Sequence, residues 1–297
     1  MQDLRTFWLT ISGNARGSVI IVLASLVAMV MSSLFKLLGK TIPVVEILFI
    51  RQLVMLLVIS PVIIRNFDSV LVTNNFRLHI LRGLLSGAAM FTGFTAIVYI
   101  PLAEVTAIGF IRTLFTAILA IIFLKEIIGP RRWASIFVGF VGVLIMLRPD
   151  SENVNIYAVY ALASAFFLSA ASIIVRTLSL IDNPSTIMVY QSIVVTLVMG
   201  GPAFFMWVTP TSREAVIILM IGILMVLVQW LYIQGFKIGE AAAIAPMEYS
   251  RLVFATVIGV IFFAEFPSLW AMTGAGIIIA STLYTLHRNS IKKQNTH

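Results

Sequence analysis

The chain has 297 residues, of which 60% are hydrophobic and only 11% are Lys, Arg, Asp or Glu. A soluble domain carries about twice that share of charge, so composition argues against a water-soluble globular protein; with a mean hydropathy of +1.06, the solvent for most side chains is lipid. The net charge is +8, but the basic residues are spread along short loops, which favours membrane anchoring over nucleic-acid binding.

The N-terminal stretch MQDLRTFWLTISGNARGS lacks an apolar core long enough for a cleaved signal, and Phe7 and Trp8 suit a membrane surface. A spanning helix needs roughly 20 apolar residues. Ten runs approach that length: 18–38, 43–64, 78–99, 102–124, 132–148, 156–177, 184–206, 214–236, 240–263 and 269–286. They are continuous rather than alternating, so helices are expected and membrane strands are not. With the N-terminus in the cytoplasm, thirteen Lys or Arg residues fall on the inner side and four on the outer (Lys36, Lys40, Arg148 and Arg213). That imbalance predicts a multi-pass membrane protein with both termini cytoplasmic.

Several spans carry polar side chains that lipid would not tolerate unanswered. In the first, Lys36 shares a helical face with Ser32 and Ser33 and is a candidate for facing a cavity, while Lys40 suits an interfacial anchor. In the second, Arg51 sits about two turns in, free either to snorkel, to pair, or to contact a ligand. The third and eighth spans offer a stacking surface, with Phe91 aligned to Trp230 and flanked by Gln229 and Tyr232. Arg112 in the fourth span has no acidic residue on its own helix face. In the ninth, Glu248 and Arg251 are spaced i,i+3 behind Pro246, with Tyr249 on a neighbouring face. Proline frees a carbonyl one turn earlier, and broken helices of this kind line transport sites. Glu248 and Arg251 read either as an internal ion pair or as a ligand-binding arginine with its orienting partner.

At an offset of 139 residues, 100–126 lies over 239–265 without a gap. Arg112 meets Arg251, Phe115 meets Phe254, Glu126 meets Glu265, and upstream Gly83 meets Gly222. Charged matches in apolar surroundings are costly to obtain by chance, so the chain reads as a duplication, 18–148 and 156–286. Each half has five spans, an odd number, so the halves lie in opposite orientations. The expected fold is therefore an all-α polytopic membrane protein with ten transmembrane helices in two inverted five-helix repeats, an arrangement suited to alternating access.

The stretch LFTAILAIIFLKEIIGPRRWASIFVGFVGVLIML and its echo VIGVIFFAEFPSLWAMTGAGIIIA resemble the drug/metabolite transporter superfamily, in the branch built from two EamA domains. Glu126 and Glu265 match the glutamate that follows the aromatic-rich helix end in that family. Gly139, Gly142, Gly274 and Gly276 match its glycine-rich helix. HILRGLL and FLKE are similar to a bacterial subgroup of S-adenosylmethionine uptake transporters. The resemblance implies ten helices around a central cavity and movement of small metabolites.

No cysteine is present, His79, His287 and His297 lie far apart, and no P-loop or catalytic cluster occurs. No metal, cofactor, ATP use or enzyme activity is expected. The reading is a secondary transporter or exchanger of a small anionic or zwitterionic metabolite such as an amino acid, an S-adenosylmethionine-like molecule or an organic acid. The alternative is a channel or a non-transporting scaffold. The candidate contacts are Arg251, Glu248, Tyr249, Arg112, Arg51, Trp230, Phe91, Lys36 and Gln229. The expected partners are a small-molecule substrate and the lipid bilayer, with no nucleic acid, in a monomer or weak homodimer. Coupling to a proton, with Glu248 or Glu46 first, or to an exchanged substrate stays open. Reporter fusions after His297 and within the 150–155 loop are expected to report opposite sides of the membrane; the same side for both contradicts the ten-span topology.

Overall fold

A computed structural model describes residues 12–65, 73–124, 130–147, 155–238 and 244–280. Among them there is helix and no strand. The elements are α1 (Gly13–Leu38), α2 (Val44–Arg65), α3 (Phe76–Tyr99), α4 (Leu102–Gly109), α5 (Arg112–Leu124) and α6 (Pro130–Leu147) in the first half. The second half holds α7 (Ile156–Leu178), α8 (Pro184–Phe205), α9 (Ser212–Ile238), a 3₁₀ turn at Ala245–Tyr249, α10 (Ser250–Phe263) and α11 (Leu269–Ala280). The described residues of each predicted span are largely helical. Seven stretches among the described residues are long and apolar enough to cross a membrane, and α2, α6 and α11 occupy the three remaining predicted spans. Glu126 and the 150–154 segment lie outside the described residues.

α1 begins earlier than expected, because the Ser12 hydroxyl accepts from the Ala15 N–H and caps the helix ahead of the apolar run. The larger difference is in the fourth span, expected to be continuous. It breaks at Phe110–Ile111, where the N–H groups of Phe110 and Ile111 reach back three residues to the Ala107 and Ile108 carbonyls. Gly109 just before the break is a weak helix former. The ninth span breaks at the equivalent place, as Pro246 led us to expect, with the 3₁₀ turn running into α10. Hydroxyls bond the backbone beside both breaks: Ser169 donates to Arg112 O at 2.8 Å, and Ser250 to Met247 O at 2.7 Å. In lipid such carbonyls must find partners within the protein.

The halves pack on one another reciprocally. α3 lies against α7 as α9 lies against α1; α3 meets α8 as α9 meets α2; α5 meets α7 as α10 meets α1. Two of these contacts are glycine contacts at matched positions. A Cβ on Gly83 would stand 2.5 Å from Val194, and one on Gly222 would stand 2.8 Å from Val54. Small residues admit this closeness, which supplies the van der Waals contact that holds helices together in lipid. Gly142 packs likewise against the Gly274 carbonyl, joining α6 to α11. Many large apolar side chains face outward, among them Leu57, Leu197, Phe204, Phe205 and Phe262, as a lipid-exposed surface requires.

Gly83→Ala and Gly222→Ala are each expected to destabilise the protein by about 1–3 kcal/mol through overpacking. Val194→Ala is expected to recover most of the first loss, whereas Gly201→Ala, with open space around it, is neutral. Thermal unfolding in detergent checks all four.

Candidate functional site

The two helix breaks face each other. Phe110 and Tyr249, related by the 139-residue repeat, are in ring contact, with centroids 4.6 Å apart and planes at 54°. Residues that are equivalent in two halves can touch only near the axis that relates the halves. Arg112 and Arg251 begin the helices that leave these breaks, and Arg112 feels the charges of both Arg251 and Glu248. The cluster therefore holds two guanidinium groups and one carboxylate among the described residues. Arg112 keeps an exposed face although protein surrounds it on most sides. Gly109, the repeat mate of Glu248, has room beside it: a Cβ there would meet nothing within 4 Å.

Arg251 lies over the Tyr232 ring, with Cζ 5.1 Å from the centroid. Its Nε is buried and has no hydrogen-bond partner among the described residues, and neither does the Tyr232 hydroxyl. The i,i+3 spacing of Glu248 and Arg251 does not produce an ion pair within 4.0 Å. Glu248 belongs to the 3₁₀ turn and Arg251 to α10, and the Arg251 guanidinium lies over the Tyr232 ring instead.

Arg51 lies in a second place along the same wall. It is 2% exposed, and its guanidinium donates to the Met225 sulfur at 3.0 Å and the Met90 sulfur at 3.3 Å. Its Cζ stands 5.0 Å from the Phe94 ring. Thioethers are weak acceptors and an aromatic face supplies part of a counter-charge, but no carboxylate answers this arginine among the described residues. Met225, Gln229 and Tyr232 follow one another at i,i+4,i+7 on one face of α9. That face runs from Arg51 to Arg251 over about 10 Å.

The structure thus gathers Arg112, Glu248, Tyr249, Arg251 and, along α9, Gln229 and Arg51. It does not bring in the other three candidates. Trp230 is 54% exposed and continues the outward apolar stripe Val216, Met220, Ile223, Leu227 of α9, so it faces lipid and not a stacking wall. Phe91 lines a separate cavity of 710 Å³ between α3, α8 and the α1–α2 connection, with Leu84, Ala88, Met199 and Pro202. Lys36 is engaged in a buried ion pair with Glu265. Arg82, one of the thirteen basic residues assigned to the inner side, is buried too; it donates to the Ile187 carbonyl at 2.6 Å and to Gln191. Lys36 and Arg82 both leave the count of surface charges, and the imbalance keeps its sign. Phe110 escaped the sequence reading. Its alignment with Tyr249 was the available signal, one aromatic matched to another across the repeat.

The family model for the EamA-like transporter family matches residues 15–148 and 155–286. An S-adenosylmethionine uptake transporter of Rickettsia bellii is 32% identical over 85% of this chain and 87% of its own. A riboflavin transporter of Brucella anthropi is 27% identical over 84% of this chain and 90% of its own. A pseudopaline exporter of Pseudomonas aeruginosa is 29% identical over 90% of this chain and 94% of its own.

Trp230→Leu is expected to leave thermal unfolding in detergent within about 0.5 kcal/mol of the parent, as for a surface exchange. Tyr232→Leu removes the ring beneath Arg251 and is expected to cost about 0.5–2 kcal/mol. Equal effects from the two would contradict the assignment of their faces.

Proposed function

The chain belongs to the EamA-like transporter family, and from that premise we propose that it is a secondary transporter or exchanger in which Arg112 and Arg251 together hold an anionic group of a small metabolite. The observation that carries this reading is the charge balance at the helix breaks: among the described residues, two cations and one carboxylate, with open space beside Gly109. An uncompensated guanidinium within the membrane costs several kcal/mol. A substrate carboxylate would remove that cost, and the fork geometry of arginine suits it. Glu248 then serves a positive group of the same molecule, which makes the preferred substrate a zwitterion. Phe110, Tyr232 and Tyr249 supply ring surface for a planar or apolar part. Relatives named for S-adenosylmethionine and for riboflavin both handle molecules with flat heteroaromatic rings, which supports that class.

Transport follows from the duplication. Segments 18–148 and 156–286 exchange conformations about the axis near Phe110 and Tyr249, and the arginines stay close to that axis while access alternates around them. The relatives include an uptake protein and an exporter, so direction is set by gradients or coupling outside the features that bind the substrate.

A double-mutant cycle tests the reading with two measurements, thermal unfolding in detergent and affinity for S-adenosylmethionine or the best binder from a metabolite panel. Arg251→Gln is expected to cost roughly 2–5 kcal/mol of binding, about thirtyfold to several thousandfold in affinity, with little loss of folded protein. Adding Glu248→Gln should not restore it. Wild-type affinity in the double mutant would refute substrate contact by Arg251 and leave a structural pair.

A further inference from the structure

The cavity that holds Phe91 plays no part in the central site. It measures 710 Å³ and lies between α3, of the first half, α8, of the second, and the connection from α1 to α2. Five of its lining residues, Leu84, Ala88, Phe91, Thr95 and Tyr99, recur along α3 at i, i+4, i+7, i+11 and i+15. They form one stripe about 22 Å long. Val198, Met199 and Pro202 of α8 make the facing wall. Leu84, Phe91 and Tyr99 are exposed on one side, and Met206, just past α8, on the other. The cavity is therefore a cleft that opens sideways on the apolar surface facing lipid, and its occupant enters from the bilayer.

Polarity is graded along the stripe. At one end stands Lys40, the one charged side chain among the residues that line the cleft. It is exposed, and it makes no ion pair among the described residues. Gly39 fixes its level: a Cβ there would overlap the Val98 side chain, so the end of α1 lies against the last turn of α3, beside Tyr99. The carboxylates nearby are engaged elsewhere. Glu214 accepts from the Thr41 hydroxyl at 2.7 Å and from the Thr211 N–H and hydroxyl at 2.9 and 2.8 Å. Glu46, fully buried, accepts from the Val208 N–H at 2.9 Å. About 6 Å deeper than Tyr99 along α3 comes Thr95. It is 9% exposed, and its hydroxyl has no hydrogen-bond partner among the described residues. From Thr95 to Leu84 the stripe is apolar over about 16 Å. That is close to the depth of one leaflet, half of a hydrocarbon core about 30 Å thick.

We propose that this cleft is a binding site for an anionic phospholipid, with the phosphate on Lys40, a glycerol ester oxygen on the Thr95 hydroxyl and one acyl chain laid along α3 from Phe91 to Leu84. A cation, one uncharged donor a helical turn deeper, and then apolar wall to a leaflet's depth follow the same order as the parts of such a lipid. Threonine in a helix has two accessible χ1 settings, so its hydroxyl turns into the cleft without moving the backbone. Tyr99, stacked on Tyr157 with centroids 4.2 Å apart, marks the headgroup level, where tyrosine gathers. The unpaired ammonium selects an anionic headgroup over a zwitterionic one. A lipid seated here touches α3 and α8 together and so bridges the two halves. The site is independent of the arginine cluster and of what that cluster binds.

Thermal unfolding of the full chain in detergent tests the site, with added dioleoylphosphatidylglycerol, dioleoylphosphatidylcholine or oleate. The phosphatidylglycerol is expected to raise the melting temperature at a concentration about fivefold below that of the phosphatidylcholine, the factor one lysine gives near an anionic headgroup. Lys40→Gln is expected to remove this advantage. Arg213→Gln, at an exposed basic residue of the same end, is expected to keep it. Thr95→Val keeps the shape, loses the hydroxyl, and is expected to weaken both phospholipids alike. Ala88→Phe puts a ring in the cleft and is expected to abolish stabilisation by either. Equal potency of the two phospholipids on the parent overturns the site, as does an advantage that survives Lys40→Gln or falls equally with Arg213→Gln. Oleate as potent as the phosphatidylglycerol also overturns it, since any amphiphilic anion would then serve. Lys40→Gln and Arg213→Gln are both surface exchanges, so their comparison stands even where Ala88→Phe does not fold.

Discussion

A cation placed inside a membrane has to be answered, and among the described residues a single carboxylate, Glu248, acts on Arg112 beside Arg251. The consequences extend through the bundle. The two arginines lie at the starts of helices created by breaks in the fourth and ninth spans, and the breaks bring Phe110 and Tyr249 into contact. The Ser169 and Ser250 hydroxyls donate to backbone carbonyls beside the breaks, which keeps polar backbone at membrane depth bonded within the protein.

The surrounding scaffold supports the junction by reciprocal packing. Gly83 against Val194 and Gly222 against Val54 are matched contacts, one on each side of the relating axis. Tight approach at these points holds the third and eighth predicted spans against the seventh and second, and leaves the fourth and ninth to meet in the middle. At one end, the Lys36–Glu265 pair joins the halves; at the other, Asp182 accepts from Thr73 and meets His79, each at 2.9 Å, and ties α3 to the α7–α8 connection. The bundle is therefore fastened by polar contacts near its ends and by small residues between them, a distribution that suits rocking about a central axis.

Much of this could be read from the sequence, and the part that could not has a common cause. Long apolar runs gave the helices, and matched charges gave the repeat, because burying an arginine twice at one offset is improbable by chance. The azimuth of side chains on a span was not legible. In a soluble helix the polar face marks the outside, but in lipid the outside is as apolar as the core. Trp230 was thus placed on a binding wall when it belongs to the lipid-facing stripe, and Phe91 was placed with it when it lines another cavity. Lys36 looked available because its partner, Glu265, is far off in sequence and is aimed back by a left-handed alanine that no local pattern announces. The break at Phe110 was missed for a related reason: it has glycine before it but no proline.

The account depends most on an anion being the group that completes the two-arginine site. The direct measurement is thermal stabilisation of the purified protein by a binding metabolite compared with its carboxamide counterpart, which keeps size and hydrogen bonding and loses the charge. Ligand binding to the native state raises its stability by mass action, so the two molecules can be compared at equal concentration. The account predicts a clear rise in melting temperature with the carboxylate and little or none with the carboxamide. Equal stabilisation by both would contradict it.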